Sequence, residues 1–178
     1  MEMIKNTTEL IKEKFEAWDM PLGPFREIDD ILNDMTRFAG YLGDEHADEF
    51  IKCIIWMIEN DYPHLNSVYM FVDIYSQRYG KSIAAALMKY ITSKGPILLV
   101  ELLGSTKDEQ ATDFIMKTID LMSAEDELLI ACISTIGETG GNNALKVLQN
   151  IAQKRGNKLS KQAMEELEIA LHNNKKNE

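Results

Sequence analysis

The sequence predicts an all-α fold on three observations. Apolar residues recur at three- and four-residue spacing, helix-start signals precede the apolar runs, and glycines punctuate them. No run shows the two-residue alternation of a half-buried strand. About ten helices are expected, at 6–18, 24–41, 44–60, 65–79, 81–94, 96–104, 107–122, 124–137, 142–155 and 160–173.

Phe25, Ile28, Ile31, Leu32, Met35, Phe38, Ala39 and Leu42 make one apolar face on helix 24–41, and Pro24 suits its first position. The opposite, polar stripe of that helix holds Asp30, Asn33, Asp34, Arg37 and Tyr41. "GDEHADEFIKC" opens the next helix, with Asp44 as N-cap and further acids at the positive end of the helix dipole. Its expected core face is Ala47, Phe50, Ile51, Ile54, Ile55 and Ile58, and the opposite stripe is Glu45, Glu49, Lys52, Trp56 and Glu59. At about 100° per residue, Trp56 lies roughly 180° from Ala47. Pro96 begins helix 96–104, and that helix and 124–137 are apolar almost all round, as layers covered on both sides are. Thr106 with Glu109 and Ser123 with Asp126 have capping-box spacing.

With 178 residues, the chain suits a single domain with its own core. Its apolar content of 45% against 27% charged residues is ordinary globular composition. The start "MEMIKNTTEL" has neither the basic opening nor the apolar stretch of a signal peptide. The greasiest run, "PILLVELLG", carries Glu101 and is far short of the ~20 residues a bilayer needs. Cys53 and Cys132 stand alone among apolar neighbours and read as reduced core residues of a cytoplasmic protein.

The net charge of −10 is unevenly placed: from Glu27 to Asp73 eleven carboxylates face two cations, Arg37 and Lys52, a balance of −9. Such a field repels nucleic acid and favours a basic protein as partner.

Gly40 to Ala47, Gly104 to Ala111 and Gly137 to Ala144 share one spacing, and the second and third copies are 33 residues apart. Helix, turn, helix at a period in the low thirties marks a helical-repeat stack. "ISTIGETGGNNALKVLQNIA" resembles a HEAT-like repeat, in which the first helix ends at a glycine turn and an alanine enters the second. The likeness is strongest over 96–173, weaker over 24–60 and absent from 61–94. It departs from the family at Leu129 or Ile130, where an arginine is usual, and lacks the proline common in the second helix. The resemblance implies antiparallel helix pairs stacked side by side.

The sites weigh against chemistry. His46 and Glu49 are one turn apart, but no second His–carboxylate pair completes a metal site, so no metal or cofactor is expected. "GETGG" lacks the lysine and hydroxyl of a phosphate loop, and neither cysteine has a catalytic signature. Lys154, Arg155, Lys158 and Lys161 cluster where a helix C-terminus favours cations, the alternative being a weak nucleic-acid patch. Trp56 on a carboxylate stripe has the character of an interface anchor, the alternative being burial between repeats. The expected partner-binding residues are Asp30, Asp34, Tyr41, Glu45, Glu49, Trp56, Glu59, Tyr62 and Asp73, with Tyr69 close by.

By size, acidity and want of a catalytic signature, the chain is similar to the immunity proteins of bacterial toxin–immunity systems, such as those of contact-dependent growth inhibition. That resemblance implies a non-enzymatic protein occluding a basic toxin domain, often a nuclease. The alternative is a HEAT-like scaffold or regulatory subunit for a cellular enzyme. A HEAT-like glycosylase would need a basic groove, against which the charge speaks.

Overall fold

The structure, a computed structural model, describes residues 6–20, 27–62 and 66–155, with Lys161, Met164, Glu165 and Glu168 beyond them. Among the described residues there are eight α-helices and no strand: α1 (Thr7–Trp18), α2 (Ile28–Leu42), α3 (Ala47–Glu59), α4 (Asn66–Tyr90), α5 (Ile97–Ser105), α6 (Gln110–Thr118), α7 (Asp126–Thr139) and α8 (Gly141–Arg155). The all-α expectation holds. The expected helices 65–79 and 81–94 form one element, α4, broken at Tyr79, whose φ of −126° and ψ of 28° leave the helical region. The expected helix 160–173 and the position of Pro24 fall, save for isolated residues, outside the described residues.

Several helix starts differ from expectation. Asp44 does not cap α3: the chain turns through 43–46 after Gly43, Ala47 N donates to the Asp44 carbonyl, and His46 is the cap residue. Thr106 is buried and turns its hydroxyl back to the Leu103 carbonyl, so Asp108 instead accepts from Gln110 N at 2.8 Å. Ser123 donates to Asp120 Oδ2 at 2.8 Å, and α7 starts after Glu125. Pro96 stands one position before α5 rather than inside it. At α2, unforeseen, Glu27 N donates to the Asp30 carboxylate at 3.2 Å, satisfying a donor the helix leaves over.

The chain divides into two compact units, Met1–Ala86 and Leu87–Glu178, with the boundary inside α4. In the first, α1 to α4 converge on Phe71. Its ring lies 5.0 Å from Trp18, 5.9 Å from Phe15, 5.7 Å from Phe38, 5.3 Å from Phe50 and 5.4 Å from Tyr75. Buried aromatic pairs at these separations add to the hydrophobic stabilisation of their area. Tyr75 then ties α4 to the α2–α3 turn, donating to the Gly43 carbonyl at 2.5 Å. Ser67 donates to Asp19 at the end of α1.

In the second unit α7 is the hub, touching α5, α6 and α8. Thr135 donates to the Val100 carbonyl at 2.7 Å, and Thr139 shares a buried 2.9 Å hydrogen bond with Thr112 of α6. Leu99, Leu103, Ile115, Leu129, Ile136 and Leu148 are buried around it. Ile130 is 45% exposed, so α7 is not covered all round.

The glycine spacing has a backbone counterpart that spacing alone does not reveal. Gly40, Gly104 and Gly137 sit inside the last turns of their helices, and do not themselves make the turns. Three residues after each comes a residue with positive φ: Gly43 (61°), Lys107 (52°) and Gly140 (71°). The three alanines that follow, Ala47, Ala111 and Ala144, are all buried.

Candidate partner-binding surface

On α3 the outward stripe is where the helical period puts it, and Trp56 is 39% exposed. The buried arc is rotated from expectation: Cys53 and Met57 join Ala47, Phe50, Ile51 and Ile54, while Ile55 and Ile58 are only half-buried. The cause is α1, which packs on α3 from the Cys53 side, with Cys53 Sγ 3.9 Å from the Thr8 carbonyl.

That packing builds a seam from two stripes. Thr8, Lys12 and Glu16 recur at four-residue spacing along α1, one turn apart on one face. Thr8 Oγ1 donates to Glu49 at 3.4 Å, Lys12 Nζ lies 3.1 Å from the centre of the Trp56 ring, and Glu16 accepts from the Tyr62 hydroxyl. Desolvation, helped by the hydrogen bond to Glu16, pushes the Tyr62 hydroxyl up to about 12. The Tyr62 ring is 5.8 Å from Trp56 and tilted by 55°. Glu49 also lies 3.4 Å from His46, and Lys52 pairs with Asp48 at 2.9 Å. Thus Glu49, Trp56 and Tyr62 come together, and α1 joins them.

The α2 residues lie elsewhere around α1. Lys14, two residues or roughly 200° on from Lys12, faces the other flank. There Asp34 accepts from Lys14 Nζ at 2.8 Å and from Trp18 Nε1 at 2.9 Å. Desolvation raises the Asp34 carboxyl, but the bonds from Lys14 and Trp18 and the charges of Lys14 and Arg37 outweigh it and hold the pKa below the ordinary value. Asp34 is therefore part of the scaffold, and Asp30 serves the start of α2. Tyr41 is 64% exposed and lies parallel to Phe38 at 6.0 Å. Glu45, Glu59, Tyr69 and Asp73 are all exposed.

The α1 contribution was missed by sequence reasoning. Its signal was the four-residue spacing of Thr8, Lys12 and Glu16 beside apolar Ile11, Phe15 and Trp18, which marks a polar flank next to a buried face.

Elsewhere, the second unit has an open cleft of about 590 Å³ between the loop before α5 and the α6–α7 loop, lined among others by Ser93, Lys94, Asp120 and Glu125. Asp120 there is engaged by Ser123 and Met122 N. Cys53 and Cys132 are free and buried, and burial pushes their thiols up to about 11 and about 12. Such thiols stay protonated and unreactive near neutral pH. Among the described residues no group of three or more His, Cys, Asp or Glu is placed to hold a metal ion, and no helix is long and apolar enough to cross a membrane. No family model, curated protein or solved structure matches the chain.

Proposed function

We propose that the chain is a HEAT-like, non-enzymatic immunity protein that neutralises a basic toxin domain, most readily a nuclease, by covering its active site. The observation that carries this reading is a half-exposed tryptophan on an acidic stripe. Charge complementarity speeds encounter with a basic protein, and a partly desolvated aromatic supplies short-range affinity. The recurrence of a positive-φ residue three positions after Gly40, Gly104 and Gly137 supports the HEAT-like part of the reading. Buried, protonated thiols fit the reducing cytoplasm in which we place the protein.

The test pairs this chain with the toxin domain encoded by the neighbouring reading frame. Stoichiometric inhibition of that domain, relieved by Glu45→Lys, Glu59→Lys and Asp73→Lys together, supports the proposal. These three acids are chosen over Asp34 and Glu49, whose side chains hold α1 in place. A neighbouring frame encoding a cellular enzyme that this chain binds and regulates replaces the toxin with a scaffold or regulatory role.

A further inference from the structure

The α1–α3 seam seats a cation on an aromatic corner, and the cation belongs to the chain itself. Lys12 Nζ is 3.1 Å above Trp56, and the Tyr62 ring lies beside Trp56 at 5.8 Å, tilted by 55°. Glu16, one turn along α1 from Lys12, accepts from the Tyr62 hydroxyl, and Glu49 accepts from Thr8 Oγ1, one turn along α1 in the other direction. An indole face bordered by a second aromatic ring and by carboxylates attracts an ammonium or guanidinium group. Trp56 keeps 39% of its surface exposed even with Lys12 in place.

We infer that this corner recognises a lysine or arginine side chain of the partner, and that Lys12 fills it in the unbound protein as an internal stand-in. The inference rests on the basic-partner reading and specifies the group that is read. Lys12 is carried on a flexible four-carbon stem, so an incoming guanidinium displaces it without unfolding α1. Its occupancy lowers the apparent affinity by the fraction of time the corner is closed.

The experiment is calorimetric titration of the full chain with a hexa-arginine peptide at low salt. Lys12→Gln is expected to tighten binding about two- to fivefold, the weight of an exposed cation–π contact. Lys52→Gln removes the same charge from a lysine one turn from Trp56 that is paired with Asp48, and is expected to tighten binding less. Trp56→Leu is expected to weaken binding, with Trp56→Phe, which keeps an aromatic face, in between. If Lys12→Gln does no more than Lys52→Gln and Trp56→Leu binds like the wild type, while the triple charge reversal weakens binding, the inference is overturned and the acidic-surface reading survives. If neither Trp56→Leu nor the charge reversal changes binding, both fall.

Discussion

Asp34 and Trp56 were both expected on the partner surface, and their surroundings now separate them. Asp34 is held by two donors from α1, one of them the indole of Trp18, which is only 4% exposed. Its carboxyl titrates below the ordinary value, so the stability it contributes is present above the unfolded-state pKa of about 3.9 and is lost as pH falls through the folded value. Asp34→Asn is expected to cost about 1 kcal/mol near pH 7, discounted for partial exposure, with the difference from the wild type shrinking below about pH 4. Urea unfolding at pH 7 and pH 3 checks this, and an equal cost at both would refute it. Trp18→Ala should lower stability by ~3–5 kcal/mol, as for a fully packed ring. Trp56→Ala removes a half-exposed one and should cost closer to ~1–2 kcal/mol while speeding dissociation of a bound partner. A loss at Trp56 as large as at Trp18 would mean that its ring is chiefly structural.

Among the helices, the positive-φ positions give a test whose sign is opposite at different residues. Lys107 holds at 52° a conformation that Gly43 and Gly140 reach without a Cβ. Lys107→Gly is therefore expected to stabilise, by roughly 0.5–1 kcal/mol, while Gly140→Ala should destabilise by about 1–2 kcal/mol. Chemical denaturation of the two variants compares them, and the same sign in both would show that the turns are not equivalent. Gly104 is different, since its helical φ makes alanine intrinsically favourable by ~1 kcal/mol. Here a Cβ would stand 2.5 Å from Glu138 Oε2 and 3.2 Å from Thr135 Cα. Glu138 can swing away, but the α7 backbone cannot without separating from α5. Gly104→Ala is expected to lower stability by ~1–2 kcal/mol, and Glu138→Ala to restore only part of it.

Across the whole molecule the charge follows the two units. The first carries sixteen carboxylates against eight cations, a net −8, and the second thirteen against eleven, a net −2. A basic partner should thus be steered toward the first unit, with an association rate that falls as salt shortens the Debye length from about 30 Å at 0.01 M to about 8 Å at 0.15 M. Stopped-flow association at several salt concentrations measures this. The triple reversal of Glu45, Glu59 and Asp73 should flatten the slope and leave the dissociation rate nearly unchanged. An unaltered slope would move the contact to another surface.

The all-α class, most helix positions and the place of Trp56 opposite Ala47 are legible in the chain, because they follow from the local 3.6-residue period. Burial of Trp56 between repeats stayed an open alternative until the structure showed it 39% exposed. The spacing of Gly40, Gly104 and Gly137 is legible too. What that spacing is for depends on packing between distant helices: Gly104 serves close approach of α5 to α7, and the turns belong to the residues three positions on. Packing likewise decides which acids are engaged, since Asp34 and Lys14 lie 20 residues apart and their pairing depends on how α1 docks. The misplaced helix starts at Thr106 and Ser123 have a local origin: each hydroxyl donates three residues back, to the Leu103 carbonyl and to Asp120, and so does not cap the helix ahead. Trp56 itself was legible on its stripe, but its contacts with α1 were not, because pairings across more than forty residues, Lys12 with Trp56 and Glu16 with Tyr62, leave no periodic trace in the chain.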